Sequence, residues 1–198
     1  FTSSGEVYGR FSEETELLDE SHFGYVDPLQ VRNCYAESKR IGENMCAAWQ
    51  YQYNVNVKII RPFHTYGPGL ALDDGRVFAD FVADVVNRRD ITVKSDGKAI
   101  RNFCYIADAT AAFFTVLLKG GTGEAYNVCD ENSQVSISSL ARLLASLYPE
   151  LGLQVRYRDR FSESPYLESP VQVHNPSMEK ISRLGWKPIY SLEEGFRR

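Results

Sequence analysis

A helical pattern that runs straight into a buried-type strand constrains this chain more than any other feature. From about Asn33 to Tyr53, Ala36, Ile41, Met45, Ala48 and Trp49 fall at helical spacing, which predicts a shared buried stripe. Val55-Asn56-Val57-Lys58-Ile59-Ile60 then alternates and turns fully apolar, as in a strand covered on both faces. Arg61-Pro62 ends that strand, and Tyr66-Gly67-Pro68-Gly69 reads as a turn. The alternation continues. A second helix is expected over Arg76 to Arg89, with Val77, Phe81, Val82, Val85 and Val86 on one side, followed by a short strand at Ile91–Val93. Ser95-Asp96-Gly97-Lys98 resembles a hairpin turn, and Asp108 is placed to cap a helix from Ala109 to Leu118 that Gly120-Gly121 closes. A strand at Glu124–Cys129, a helix from Ser136 or Ser138 through Leu147 and a strand at Leu153–Tyr157 follow. Asn175-Pro176 reads as a helix start, with Gly185 ending that helix, while polar Arg10 to Asp27 reads as a surface loop. Strands alternating with helices predict an α/β architecture with a parallel sheet.

Composition narrows what such a fold does. Hydrophobic residues at 43% and charged residues at 24% of 198 suit a globular chain rather than a disordered one. Lys plus Arg is 22 and Asp plus Glu 26, so the net charge is 22 − 26 = −4, which argues against a nucleic-acid or anionic-membrane partner. No apolar run is long enough to span a bilayer. Cys34, Cys46, Cys104 and Cys129 form no CxxC pair, so a reducing, cytoplasmic setting without a disulfide framework or zinc site is expected. His22, His64 and His174 show no metal-ligand spacing. The chain opens on Phe1-Thr2-Ser3 without a methionine, as though cut into the end of a strand, and reads as a piece of a longer protein.

Four constellations carry possible chemistry. In Tyr35-Ala36-Glu37-Ser38-Lys39, positions i and i+4 share a helix face, so the phenol of Tyr35 and the ammonium of Lys39 point the same way. A neighbouring cation favours the phenolate and makes such a tyrosine a base; the plainer alternative is a surface pair. Ser3-Ser4-Gly5-Glu6-Val7-Tyr8-Gly9 would bring a hydroxyl and a carboxylate to the carboxyl edge of a sheet, where open α/β folds bind ligands, unless it is an ordinary Ser/Gly turn. Arg61-Pro62-Phe63-His64-Thr65-Tyr66-Gly67 ends a strand at the same edge, although a lone histidine is more often structural. Arg101-Asn102-Phe103-Cys104-Tyr105-Ile106-Ala107-Asp108 offers an arginine able to clamp a phosphate, or a surface arginine with a helix cap.

Taken in this order and spacing, the four segments resemble the extended short-chain dehydrogenase/reductase family, specifically its nucleotide-sugar epimerases, dehydratases and decarboxylases. The resemblance runs from the SS-x-x-VYG segment at Ser3–Gly9 through YxxSK at Tyr35–Lys39, RPxxxYGPG at Arg61–Gly69 and R-x-F-x-Y-x-x-D at Arg101–Asp108. It ends on LGWKP at Leu184–Pro188 and Ser191–Gly195, so it covers nearly the whole chain. It implies the C-terminal part of a Rossmann-type parallel sheet plus a smaller α/β substrate-binding region. The division implied is residues 1–88 for the catalytic half of an NAD-binding domain and 89–198 mainly for the substrate.

The same resemblance implies NAD as cofactor, a nucleoside-diphosphate sugar as substrate and a homodimer formed partly through the helix bearing Tyr35. Tyr35 would be the catalytic base and Lys39 would bind the nicotinamide ribose while lowering the tyrosine pKa. Ser4 would hydrogen-bond the sugar 4-hydroxyl, Arg101 would contact the diphosphate, and Pro62, Phe63 and His64 would lie near nicotinamide and sugar. An asparagine is common at the His64 position. The implied chemistry is oxidation at C4 followed by epimerisation, loss of water or loss of carbon dioxide, with a role in surface polysaccharide or deoxysugar synthesis. Dehydratases of this group carry Asp-Glu after the hydroxyl residue; here Gly5-Glu6 keeps the base and lacks the acid. Decarboxylases tend to place arginines before the final helix, and 166–175 contains none. The dinucleotide fingerprint GxxGxxG is absent, which leads to the expectation that an N-terminal half of roughly a hundred residues precedes this chain and that the chain alone binds NAD poorly. A non-catalytic nucleotide- or protein-binding relative, or a dehydrogenase acting on a hydrophobic alcohol, are the readings set against this one.

Overall fold

Helix α1 (Cys34–Tyr53) is the longest element, and its end is set by Asn54, which adopts a left-handed backbone (φ 54°) and returns its N–H to the Gln50 carbonyl at 2.9 Å. In the computed structural model residues 1–11, 17–158 and 175–198 are described. Beyond α1 the chain forms β1 (Ile59–Pro62), β2 (His64–Tyr66), α2 (Val77–Val86), β3 (Ile91–Val93), β4 (Ile100–Tyr105) and α3 (Ile106–Lys119). Then come β5 (Ala125–Val128), β6 (Gln134–Ser136), α4 (Ile137–Leu147), β7 (Val155–Tyr157), α5 (Glu179–Ser182) and α6 (Leu192–Arg197). Among the described residues no helix is long and apolar enough to cross a membrane.

The expected mixed α/β class with parallel pairing is what forms. β1 lies parallel to β5, Ile59 opposite Ala125 and Pro62 opposite Val128, and Thr2 bridges Ile60 in parallel on the other side. β2 lies parallel to β4, and β3 parallel to β7; β4 pairs antiparallel only with β6. A single residue, Phe63, separates β1 from β2, so one strand path changes partner from β5 to β4. Pro62 sits at that change, where a residue without an N–H costs no ladder bond. β5 returns the chain to the first sheet after the excursion through β2, β3 and β4.

Three apolar clusters form among the described residues, the smallest made of Val7, Tyr8 and Leu18. Phe78, Phe81, Ile91, Val93, Phe103, Leu140 and Leu144 fill the space among α2, α4, β3 and β4. Ile60, Ala112, Val116, Val128, Ile181 and Trp186 seal α3 onto the β1–β5 sheet.

Several local expectations change. The strand after α1 starts at Ile59 rather than Val55, because Val57 turns back to the Val55 carbonyl (2.9 Å). Only Ala36 of the expected α1 stripe is buried; Ile41, Met45 and Trp49 stand 57%, 54% and 56% exposed. The face turned to the sheet is held instead by Glu43 and by Gly42, whose hydrogen allows the Phe1 ring to come where a Cβ would lie 2.3 Å from it. Ser95–Lys98 is a turn, with Gly97 at φ 70°, but it joins no hairpin, since β3 and β4 take other partners.

Asp108 is not a cap. It lies inside the first turn of α3, 3% exposed, and its carboxylate accepts the Ile189 and Tyr190 N–H groups at 3.0 Å each. Its carbonyl accepts the Trp186 indole N–H at 3.0 Å, so the LGWKP segment is latched to α3. Asn175-Pro176 starts no helix either. Asn175 and Ser177 bond Leu18, and the helix begins only at Glu179.

Candidate active site

The parallel register gathers the expected residues at one sheet edge. Ser3 donates its N–H to the Ile60 carbonyl at 2.8 Å, and the chain then leaves the sheet through a 3-10 turn, Gly5–Tyr8. Ser4 is the N-cap of that turn, its hydroxyl accepting the Glu6 N–H at 3.2 Å. Because Phe1–Ser3 and β1 run the same way, Ser4 and Pro62–His64 arrive together, and Tyr35 joins them from the first turn of α1. Ser4, Glu6, Tyr35, Pro62, Phe63 and His64 line one cavity of about 330 Å³, completed by Gly5 and Arg76.

Lys39 lies one turn beyond Tyr35. Its ammonium is 5.6 Å from the centre of the Tyr35 ring and donates to the Thr2 carbonyl at 3.0 Å, so it ties the helix to the strand end. The His64 ring stands between Phe103 (centroids 5.5 Å) and Phe78 (6.5 Å), which fixes its plane. Arg101 stands apart from this group. It lies on β4, does not line the cavity, and its guanidinium donates to the Ile100 carbonyl at 2.8 Å. The arginine-poor stretch 166–175 and His174 lie outside the described residues, apart from Asn175.

Two arginines escaped the sequence reading. Arg32, three residues before Tyr35, pairs with the Glu6 carboxylate at 3.3 Å. Arg76 precedes α2, is held by Asp74, and stacks its guanidinium 5.0 Å above the Phe78 ring. The only signal for Arg32 was its nearness to Tyr35; for Arg76 it was the Asp-Gly-Arg turn ahead of an apolar helix.

Behind the cavity a buried polar network fixes the strand ends. Arg61, 6% exposed, donates to Glu43 through Nε (2.8 Å) and Nη2 (2.6 Å) and to the Tyr8 hydroxyl at 3.0 Å. Ser3 donates to the same Glu43 at 2.5 Å. Tyr8 in turn donates to Asn127 Oδ1 at 2.6 Å, and the Asn127 N–H donates to Glu20 at 2.7 Å. Burial opposes the Arg61 charge, but the Glu43 hydrogen bonds and the neighbouring Tyr8 oxygen hold its pKa above the usual value. Burial pushes the Tyr8 phenol up to about 12. Two larger cavities, of about 760 and 550 Å³, lie elsewhere and contain neither Tyr35 nor Ser4.

A strand-end hydroxyl, a helix tyrosine and a carboxylate line one cavity with a lysine one turn on, groups whose chemistry suits proton transfer. The family described as NAD dependent epimerase/dehydratase matches residues 1–129. The chain belongs to that family. Among curated members of the epimerase/dehydratase family, UDP-glucuronic acid decarboxylase 1 of Xenopus tropicalis is 31% identical over 99% of this chain. The chain spans 44% of that relative's length. RMD of Pseudomonas aeruginosa, solved with NADPH, is 27% identical and superposes with a TM-score of 0.80 over 99% of this chain and 63% of its own. The UDP-glucuronic acid 4-epimerase of Bacillus cereus, solved with UDP-glucuronic acid and NAD, shares the fold. It is 23% identical, with a TM-score of 0.80 over 99% of this chain and 58% of its own.

Proposed function

We propose that this chain carries the catalytic residues and part of the substrate site of an NAD-dependent nucleotide-sugar enzyme that works through transient oxidation at sugar C4. The observation that carries the reading is the convergence of Ser4, Glu6 and Tyr35 on one cavity at the carboxyl edge of a parallel sheet. The residues present fit the nicotinamide end of NAD: Tyr35 and Pro62–His64 line that cavity with Lys39 alongside, while no GxxGxxG segment for the pyrophosphate occurs in the sequence. When bound, NAD supplies the acceptor for the C4 hydride. Tyr35 takes the C4 hydroxyl proton, the Ser4 hydroxyl bonds the same oxygen, and Lys39 supports both the tyrosine and the ribose. Glu6, held by Arg32, serves the carbons beyond the ketone. Arg101 answers to the diphosphate, and His64, its ring held by Phe78 and Phe103, to the sugar.

Residues 1–88 then form the catalytic half of the cofactor domain and 89–198 mainly the substrate region. The exposed row Ile41, Met45, Trp49 and Tyr53 on α1 supports a homodimer contact, since four apolar side chains one turn apart are costly to leave in water. Four cysteines without CxxC spacing support a cytoplasmic setting, and the reading extends to polysaccharide or deoxysugar synthesis. The test is product mass after incubating the full-length protein with NAD and UDP-glucuronic acid, UDP-glucose or dTDP-glucose. Conversion of at least one sugar is expected, with carbon dioxide loss marking a lyase and unchanged mass with new retention an isomerase. No conversion by protein that holds NAD would favour a non-catalytic binding relative.

A further inference from the structure

His64 meets the cavity from β2, opposite Phe103 in the β2–β4 register, so its backbone is fixed by the ladder. Its ring lies at 51° to Phe103 and edge-on to Phe78 at 80°, and Phe78 carries the Arg76 guanidinium 5.0 Å from its own ring. Nδ1 is buried. Nε2 is then the ring nitrogen left to meet a ligand in the cavity.

The charges around that nitrogen offset one another. Glu6 enters from the turn Gly5–Tyr8 and is paired by Arg32 at 3.3 Å; Arg76 enters from the residue before α2 and is paired by Asp74. From α1 comes the Tyr35 phenol, with the Lys39 ammonium 5.6 Å from its ring, while β4 and α2 present the uncharged Phe103 and Phe78. Among the described lining residues, one carboxylate and one guanidinium therefore cancel. Of the side-chain types that line the cavity, imidazole alone ordinarily ionises between pH 5 and 8. A proton on His64 turns a lining of no net charge into a positive one.

We infer that His64 is a pH-dependent anion contact of the substrate site: as imidazolium it donates from Nε2 to an anionic oxygen of the substrate, and the neutral ring holds that oxygen more weakly. This rests on the proposed reading of the substrate as a nucleoside-diphosphate sugar. Such a molecule supplies the oxygen from its diphosphate or, in a uronate, from the C6 carboxylate. Both are ionised above about pH 5, so the group that titrates at neutral pH is the protein's. The proton exchanges a neutral hydrogen bond for a charge-assisted one, which is about fivefold or more in affinity.

The test is calorimetric titration of full-length protein loaded with NAD, using UDP-glucuronic acid, UDP-glucose and dTDP-glucose from pH 5.5 to 8.5. The dissociation constant of at least one sugar nucleotide should rise about fivefold or more, with one inflection between about pH 5.5 and 7.5. A rise for all three assigns the contact to the diphosphate; a rise for UDP-glucuronic acid alone assigns it to the C6 carboxylate. His64→Asn and His64→Gln keep a polar side chain without the titrating charge, and in either variant whose thermal midpoint stays within about 3 °C of wild type the profile should be flat. Wild-type binding that does not vary with pH, or the same variation in the variants, would overturn the assignment to His64 and leave the nucleotide-sugar reading standing. Binding of none of the three at any pH, by protein that holds NAD, would overturn that reading and this inference with it.

Discussion

Replacing Glu43 by alanine removes the counter-charge of a buried arginine. The Arg61 side chain is 7% exposed and the Glu43 side chain 15%, and three hydrogen bonds end on the carboxylate: two from Arg61 and one from Ser3. Arg61 would keep only the Tyr8 hydroxyl and the Glu20 carbonyl (3.3 Å). Breaking one partner of a buried pair costs about 3–5 kcal/mol. At about 3 °C per kcal/mol for a chain of this size, the midpoint should fall by about 9–15 °C. The 760 Å³ cavity lined by both residues admits water and favours the lower end. Differential scanning calorimetry of Glu43→Ala, Arg61→Met and the double variant measures this. The double variant should lose at least about 1 kcal/mol less than the two singles summed. A fall below about 3 °C for Glu43→Ala, or strictly additive losses, would refute the view that this pair fixes the strand ends beneath the site.

Asp108→Ala leaves the Ile189 and Tyr190 N–H groups without their acceptor. It should cost about 2–4 kcal/mol, read as a midpoint lower by about 6–12 °C; a loss under 2 °C would mean the latch carries no stability. For Tyr8 the folded pKa of about 12 lies above the ordinary 10, so its contribution is complete below pH 10 and is lost as pH rises toward 12. The advantage of wild type over Tyr8→Phe in urea unfolding should therefore shrink by about 2–3 kcal/mol across that window. A pH-independent difference would contradict the burial assigned to Tyr8. Arg32→Ala removes the partner that holds Glu6 and should lower turnover at least about tenfold while changing the midpoint by less than 3 °C, since the pair is partly exposed. Unchanged turnover would separate Glu6 from the chemistry.

Local rules made Tyr35 and Lys39 readable, because four residues on a helix fix a shared face without knowledge of anything else. Ser4 and Glu6 were readable for a similar reason, once Phe1–Ser3 was taken as a strand end. Arg32 and Arg76 were not, since Arg32 meets Glu6 and Arg76 meets the cavity only through a tertiary approach of 3-10 turn or loop to sheet edge. Periodicity showed that α1 has an apolar row but not what faces it, and Ile41, Met45 and Trp49 turned out exposed. Asp108 was misplaced because a capping aspartate and one buried within a first turn share the same neighbours in sequence; only Ile189 and Tyr190, about eighty residues on, distinguish them. Strand partners were equally out of reach, as the change from β5 to β4 across Phe63 shows.

The central claim is that Tyr35 is the base of an oxidation at a sugar carbon. The most direct test compares wild type and Tyr35→Phe, as full-length protein loaded with NAD, for conversion of UDP-glucuronic acid, UDP-glucose and dTDP-glucose. The account predicts turnover of at least one sugar by wild type and a loss of about a hundredfold or more in the variant, with NAD binding and thermal midpoint nearly unchanged, because Tyr35 is 46% exposed. Equal turnover by the two proteins would contradict it.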